Sequence, residues 1–266
     1  MPRISVVIPS RLQGPQLDDP DGSWFVQRSI ACVRGQSIFR KPGFVPEIII
    51  GVDPGMALLA RQRLDPAILV AEGVKRLQSA ALNAALARVS GDYVAFIEDD
   101  DLWEPTYLER AIAQFGQFRF ASSTHLERTV DGTVVRILDY PTPSSWVMPR
   151  ATLDRVGGFD ESYRWHLDSE WIGRLNEQRI PRVHFVEATA PIEADAISST
   201  RPNLWNILLC AAEFCSFMRH ESPWPLVMRT VHPGSGMAQI AASEAKTEQS
   251  KAEYGRMIQR FNNIPW

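Results

Sequence analysis

The chain reads as an α/β protein with a mainly parallel sheet, and two observations carry that reading. Short β-branched apolar runs of strand length recur through its first half: ISVVIP (4–9), EIIIGV (47–52), AILVAEG (67–73) and DYVAFI (92–97). The strongest of them are continuous rather than alternating, as strands covered on both faces tend to be. Stretches of helical periodicity separate them, and strands alternating with helices imply parallel pairing through crossover connections.

Taken in order, WFVQRSIACVRG (24–35) predicts a helix that stops at Gly35, and QSAALNAALARVSG (78–91) predicts an Ala/Leu-rich helix stopped by Gly91. PTYLERAIAQF (105–115) opens a helix with proline at its first position. The pattern changes after about residue 118. FRFASSTHLERTV and TVVRILDY flank Asp131-Gly132, a two-residue hairpin signal. PTPSSWVMPR then leads into a short helix, VGGFDES into a turn, LDSEWIGRLNEQ (167–178) into a helix and IPRVHFVEA (180–188) into another strand. Two helical stretches are expected from residue 202 onward, separated by SPWP and VHPGSG. The second, AQIAASEAKTEQSKAEYGRMIQRF (238–261), is polar on most sides. The loop QGPQLDDPDGS (13–23) is long for a βα connection and is expected at the ligand face.

Composition narrows the function. The 266 residues suit one large domain, or one domain with a sizeable appendage. Basic residues number 28 against 31 acidic, with no basic block, which argues against nucleic acid as a partner. Three cysteines, Cys32, Cys210 and Cys215, form no CxxC pair, so a reducing compartment is expected and structural zinc is not. The opening MPRISVVIPS is too short an apolar stretch, broken by Pro9, for a signal peptide. LWNILLCAAEFCSFM (204–218) is shorter than a membrane span and carries Asn206 and Glu213. It reads as a buried or amphipathic helix, which leaves peripheral membrane contact and self-association open. A cytoplasmic location follows.

The feature that demands explanation is VAFIEDDDLW (94–103), where a buried strand runs straight into Glu98, Asp99, Asp100 and Asp101. In open α/β sheets ligands bind beyond the carboxyl ends of the strands. Carboxylates crowded there repel one another unless protons or a cation neutralise them. Oxygen ligands at this density suit Mg²⁺ or Mn²⁺ bridging to substrate phosphates.

ISVVIPS, EIIIGVD, SAALNAAL, SGDYVAFIEDDDLWEPTYLERA and VGGFDES…LDSEWIGRL occur in this order over residues 3–178. In that order and spacing the chain resembles a family 2 glycosyltransferase with the GT-A fold. The resemblance implies a catalytic domain over 1–200, with a nucleotide-binding half (1–117) and an acceptor half (118–200). A helical C-terminal extension (201–266) would follow. It implies that Pro9, Ser10 and Arg11 line the nucleotide pocket, that Asp53 contacts the donor base, and that Asn83 belongs to the same site. A carboxylate suits Asp53's role, since it accepts a hydrogen bond from the N3–H of uracil or thymine. Arg76, with Lys75, is placed near the diphosphate. Glu98-Asp99-Asp100 matches the metal-binding DxD motif: Asp100 is the foremost ligand, Glu98 and Asp99 compete for the other acidic role, and Asp101 is a supporting acid or helix cap.

Sugar transfer also needs a base for the acceptor hydroxyl. Asp168 in LDSEWIGRL matches the family's base, with Glu170 as the alternative. Leu167 stands where an acid is usual. Trp146 and Trp165 are candidate platforms for an acceptor sugar. His232 in VHPGSG resembles a histidine that reaches the metal or diphosphate in relatives. The implied activity is metal-dependent transfer, with inversion, from a nucleotide-diphosphate sugar, UDP-sugar favoured. The acceptor would be a glycan or lipid-linked hydroxyl. Two rivals remain. A sugar nucleotidyltransferase would carry a Gly-rich basic loop after the first strand, whereas residues 8–22 hold one arginine and three acids. A non-catalytic glycan- or nucleotide-binding module is suggested by Val52 and Leu167, where the family often has acids.

Overall fold

A computed structural model describes residues 1–13, 25–187, 217–222 and 225–263. The elements follow from the apolar pattern. β1 (Arg3–Ser10), α1 (Phe25–Arg34), β2 (Val45–Val52), α2 (Ala57–Arg63), β3 (Leu69–Glu72), α3 (Gln78–Leu86) and β4 (Tyr93–Phe96) alternate as expected. Then come β5 (Leu102–Trp103), α4 (Tyr107–Ile112), β6 (Phe120–Ser123), β7 (His125–Thr129) and β8 (Val134–Leu138). β9 (Val147–Pro149), α5 (Arg150–Val156), α6 (Leu167–Glu177) and β10 (Arg182–Glu187) follow. The C-terminal part adds β11 (Phe217–Ser222), β12 (Val227–Val231), α7 (Gly236–Ala241) and α8 (Glu244–Phe261).

The main sheet runs β11-β10-β6-β9-β4-β1-β2-β3. β9 pairs antiparallel with both β4 and β6, while the other pairs in this sheet are parallel. Strand order reverses between β1 and β4, which is where such a sheet opens a ligand crevice. Alternate residues of β1 serve opposite faces. Ile4, Val6 and Ile8 pack into the core with Val26, Ile30 and Leu108, whereas Val7 packs with Leu82, Phe96 and Trp171. Helices therefore cover both faces, which explains the continuous apolar runs. Gly51 lets α3 lie close on β2, because a Cβ there would stand 2.2 Å from the backbone oxygen of Ala81. That close contact seats the strand end that carries Asp53.

Several boundaries depart from expectation. FRFASSTHLERTV divides at Thr124, β6 joining the main sheet and β7 a second sheet ordered β5-β12-β7-β8. The hairpin at Asp131-Gly132 forms, but its loop spans 130–133, since the Asp131 carboxylate accepts the Thr133 amide at 3.2 Å and Gly132 takes a φ of +93°. The helix expected to start at Pro105 starts at Tyr107, because the Glu104 carboxylate takes the Thr106 amide at 2.7 Å and holds a turn there. The 238–261 stretch is two helices, broken where Ser243 caps α8. The 204–218 segment lies outside the described residues except at its end, where Phe217 begins β11 rather than continuing a helix. VMRTV was not read as a strand; as β12 it lies between β5 and β7. The C-terminal part thus brings two strands into the sheets besides its helices. No helix among the described residues is long and apolar enough to cross a membrane.

Candidate active site

At the reversal point, the carboxyl ends of β1, β2 and β4 surround a cleft. Pro9, Ser10 and Arg11 leave β1 along one wall, Asp53 closes β2, and Arg76 and Gln78 lie on the approach to α3. Glu98, Asp99 and Asp100 line it beyond β4, and His232, Gly234 and Ser235 complete the lining beside Asp100. Residues from five separate stretches of sequence converge here, three of them because the parallel strands β1, β2 and β4 end on the same edge.

The acids do different work. Asp101 is 1% exposed, and both its oxygens are taken: Oδ1 accepts the Thr230 amide at 3.0 Å and Oδ2 the Ser144 hydroxyl at 2.5 Å. Asp99 accepts from Ser10 Oγ at 2.6 Å. Burial, then the charge of Asp100, push the Asp99 carboxyl up to about 8. Burial and Asp100 likewise raise Glu98, whose Oε1 accepts from Gln78 Nε2 at 2.5 Å. Asp100 Oδ2 faces His232 Nε2 at 2.9 Å. Oxygens of Glu98, Asp100 and Asp101 lie within 4.8 Å of one another. With Asp101 engaged on both sides, Glu98 and Asp100 are the pair left facing the cleft. That hard, oxygen-only pair fits a divalent cation such as Mg²⁺ or Mn²⁺, and a cation would offset the repulsion from Asp100 that helps to raise Glu98.

One participant was not legible. Arg229, on β12, pairs with Glu127 at 3.0 Å, and the charges of Glu98, Asp101, Glu127 and Asp100 hold its guanidinium charged despite burial. It is a fixed cation beside the acid cluster. Its only sequence signal was an arginine inside VMRTV, a segment too short and too close to Pro225 to stand out as a strand.

On the acceptor side, Asp168 is half-buried in the first turn of α6, and its Oδ1 accepts the Ser169 amide at 2.7 Å. Burial holds its carboxyl above the ordinary range, opposed by that amide and then by the charges of His166 and Arg229. Glu170 is placed differently from the expectation of a rival base. It is fully buried and paired with Arg174 at 2.9 Å and with Arg260 at 2.8 Å, so its carboxylate ties α6 to α8.

Two further expectations are corrected. Trp146 is fully buried, 4.8 Å from Trp171 between ring centres, with its indole N–H on Pro141 O; it is core, with no face for a sugar. Asn83 is not among the residues that line the cleft; its amide nitrogen donates to Phe159 O and its oxygen accepts Phe159 N–H. It holds the GGFDE turn. Trp165 is half-buried beside Asp168's helix, with Arg164 stacked 5.1 Å from its ring centre. Lys75 pairs with Glu161 at 3.2 Å, while Arg76 faces the cleft.

An open α/β sheet with an acid-lined cleft at its reversal point defines a protein built to take a ligand across that edge. The chain belongs to glycosyl transferase family 2: the family's sequence model matches residues 27–166, just over half of its length. No curated protein sequence matches it. Among solved structures, S. aureus TarS 1-349 in complex with UDP is similar at a TM-score of 0.52 and 13% identity, over 97% of this chain and 72% of that one. The same protein in complex with UDP-GlcNAc gives 0.55 at 12% identity, over 98% and 72%. At such identities the likeness is one of fold. The chain is a family 2 glycosyl transferase with the GT-A fold.

Proposed function

We propose that the protein transfers a sugar from a UDP-sugar to a hydroxyl of a glycan or lipid-linked acceptor, with inversion and with a divalent cation, Mn²⁺ or Mg²⁺. The observation that carries this reading is the convergence of Glu98 and Asp100 with Asp53, Arg11 and Arg76 in one cleft. Glu98 and Asp100 would hold the cation, with His232 beside Asp100. A cation held there would offset the charge of the diphosphate. Asp53 suits the N3–H of uracil, and the UDP and UDP-GlcNAc complexes of S. aureus TarS support uridine. Arg11 and Arg76 are suited to the phosphates.

Asp168 is the base. Its carboxylate takes the proton of the acceptor hydroxyl as that oxygen bonds to the anomeric carbon. The bond from that carbon to the diphosphate oxygen breaks on the far side, which inverts the centre. Burial that raises a carboxyl also raises its basicity, which suits the role. Both oxygens of Glu170 are engaged, Oε1 by Arg174 and Arg260 and Oε2 by Arg174. Trp165 is the remaining aromatic candidate for the acceptor side.

Calorimetric titration of UDP, GDP, TDP and CDP with and without Mn²⁺ tests the reading. UDP binding that requires Mn²⁺ is expected. A folded protein that binds none of the four would overturn it in favour of a degenerate binding module.

A further inference from the structure

α8 lies outside the segment that matches the family, yet it delivers a carboxylate to the approach of α6. Glu253, 5% exposed, accepts the amides of Arg164 at 3.0 Å, Trp165 at 2.8 Å and His166 at 3.3 Å. Three successive amides on one buried carboxylate make a strong, directional anchor, since hydrogen bonds to an ionised acceptor are the stronger kind.

The anchor sits where α6 needs one. A helix begins with amides that have no partner inside it, and these are usually met by a Ser, Thr, Asp or Asn at the cap position. The cap residue of α6 is His166, whose side chain makes no cap bond. Its Nε2 faces Ser250 Oγ at 2.9 Å instead, on the same α8. The carboxylate of Glu253 instead holds the amide of the cap residue and those of the two residues before it, and it puts negative charge near the positive end of the helix. Farther along, Arg260 of α8 reaches Glu170 at 2.8 Å, and a Cβ on Gly173 would run into the Phe261 ring at 2.4 Å. α6 therefore hangs from α8 at its start, its first turn and its middle.

Asp168 follows His166 directly after Leu167, which is 5% exposed and locked in the core. We propose that Glu253 is a positioning residue for the general base: by fixing the backbone of 164–166 it sets where the Asp168 carboxylate stands. This rests on the reading of Asp168 as the base. Misplacing a reacting group by about 1 Å can cost ~100-fold in rate, so an anchor of this kind has a catalytic consequence beyond stability. It also gives the C-terminal helix a part in the chemistry.

The test compares Glu253→Gln, Glu253→Asp and Asp168→Asn with the native protein, all full length. Amide exchange at 164–166, Mn²⁺-dependent UDP affinity, and KM and kcat for UDP release from UDP-GlcNAc, with water as acceptor, are measured. In Glu253→Gln, exchange at these amides should rise, UDP affinity and KM should stay unchanged, and kcat should fall ~10- to 100-fold. Glu253→Asp should recover part of the loss. Unchanged exchange at 164–166 overturns the inference, as does unchanged kcat. A fall in kcat accompanied by a higher KM and weaker UDP binding also overturns it, because that is general loosening. If Glu253→Gln does not fold, Ser250→Ala decides by the same split: lower kcat at unchanged UDP affinity supports the anchor, and native kcat overturns it. A native rate in Asp168→Asn sinks the base assignment itself. Collapse there with a native rate in Glu253→Gln removes the positioning role alone.

Discussion

The amide of Thr230 donates to Oδ1 of Asp101 at 3.0 Å, joining β12 to the acid cluster across 129 residues of chain. Ser144 donates to the other oxygen, so Asp101 organises three segments around the acids of the cleft.

Asp101→Ala should therefore act on stability. It strands a buried amide and a buried hydroxyl, a cost of about 1–3 kcal/mol for each group left unpaired. A drop in the urea midpoint is expected. A midpoint equal to the native one would show that Asp101 is not structural.

Asp100→Ala should act on binding instead. It removes the carboxylate that faces both the cleft and His232, and Mn²⁺-dependent UDP binding should vanish with stability little changed. Native UDP affinity in the presence of Mn²⁺ would take the cation away from this residue.

Asp168→Asn and Glu170→Gln should separate chemistry from scaffolding. Loss of general-base help is worth ~10²–10⁴-fold in rate, so Asp168→Asn should bind UDP normally and turn over at that reduced level. Glu170→Gln leaves Arg174 and Arg260 facing a neutral group in a buried site, and it should lower the melting temperature. If the Asp168 variant keeps its rate, the base lies elsewhere.

His125 supplies a pH signature. Burial, then the charges of Arg229 and His184, push its imidazole down to about 3. Unfolded, it titrates near 6.5. Between these values the unfolded chain binds a proton that the folded one does not, so stability is present above about 6.5 and declines as pH falls toward 3. Urea unfolding from pH 7 to pH 4 should show a slope that His125→Leu reduces by up to ~1.4 kcal/mol per pH unit. An identical slope in the variant would remove His125 as the source.

Much of the site was readable because it lies where local pattern and chemistry coincide. ISVVIPS, EIIIGVD and FIEDDD each end a buried strand in a polar residue, and a parallel sheet brings all such ends to one edge. Pro9, Ser10, Arg11, Asp53 and the acids from Glu98 to Asp100 therefore meet whatever the details of packing. What local pattern cannot encode is how a side chain is used once neighbours arrive. Asn83 and Trp146 have the right chemistry for a sugar-nucleotide site, but one is engaged by the Phe159 backbone and the other by an aromatic core.

The sequence by itself determined the alternation of strand and helix, the sheet edge at which the polar strand ends gather, and the residues along that edge, because burial periodicity and chain punctuation are local properties. Only the tertiary structure decided which acid is structural, that Arg229 stands beside the cluster, and that Glu253 anchors the helix of Asp168. Those outcomes depend on contacts between distant segments, as in the 129 residues that separate Asp101 from Thr230. Which partner satisfies a buried charge or amide is settled by packing, and no short stretch of sequence contains both halves of the pair.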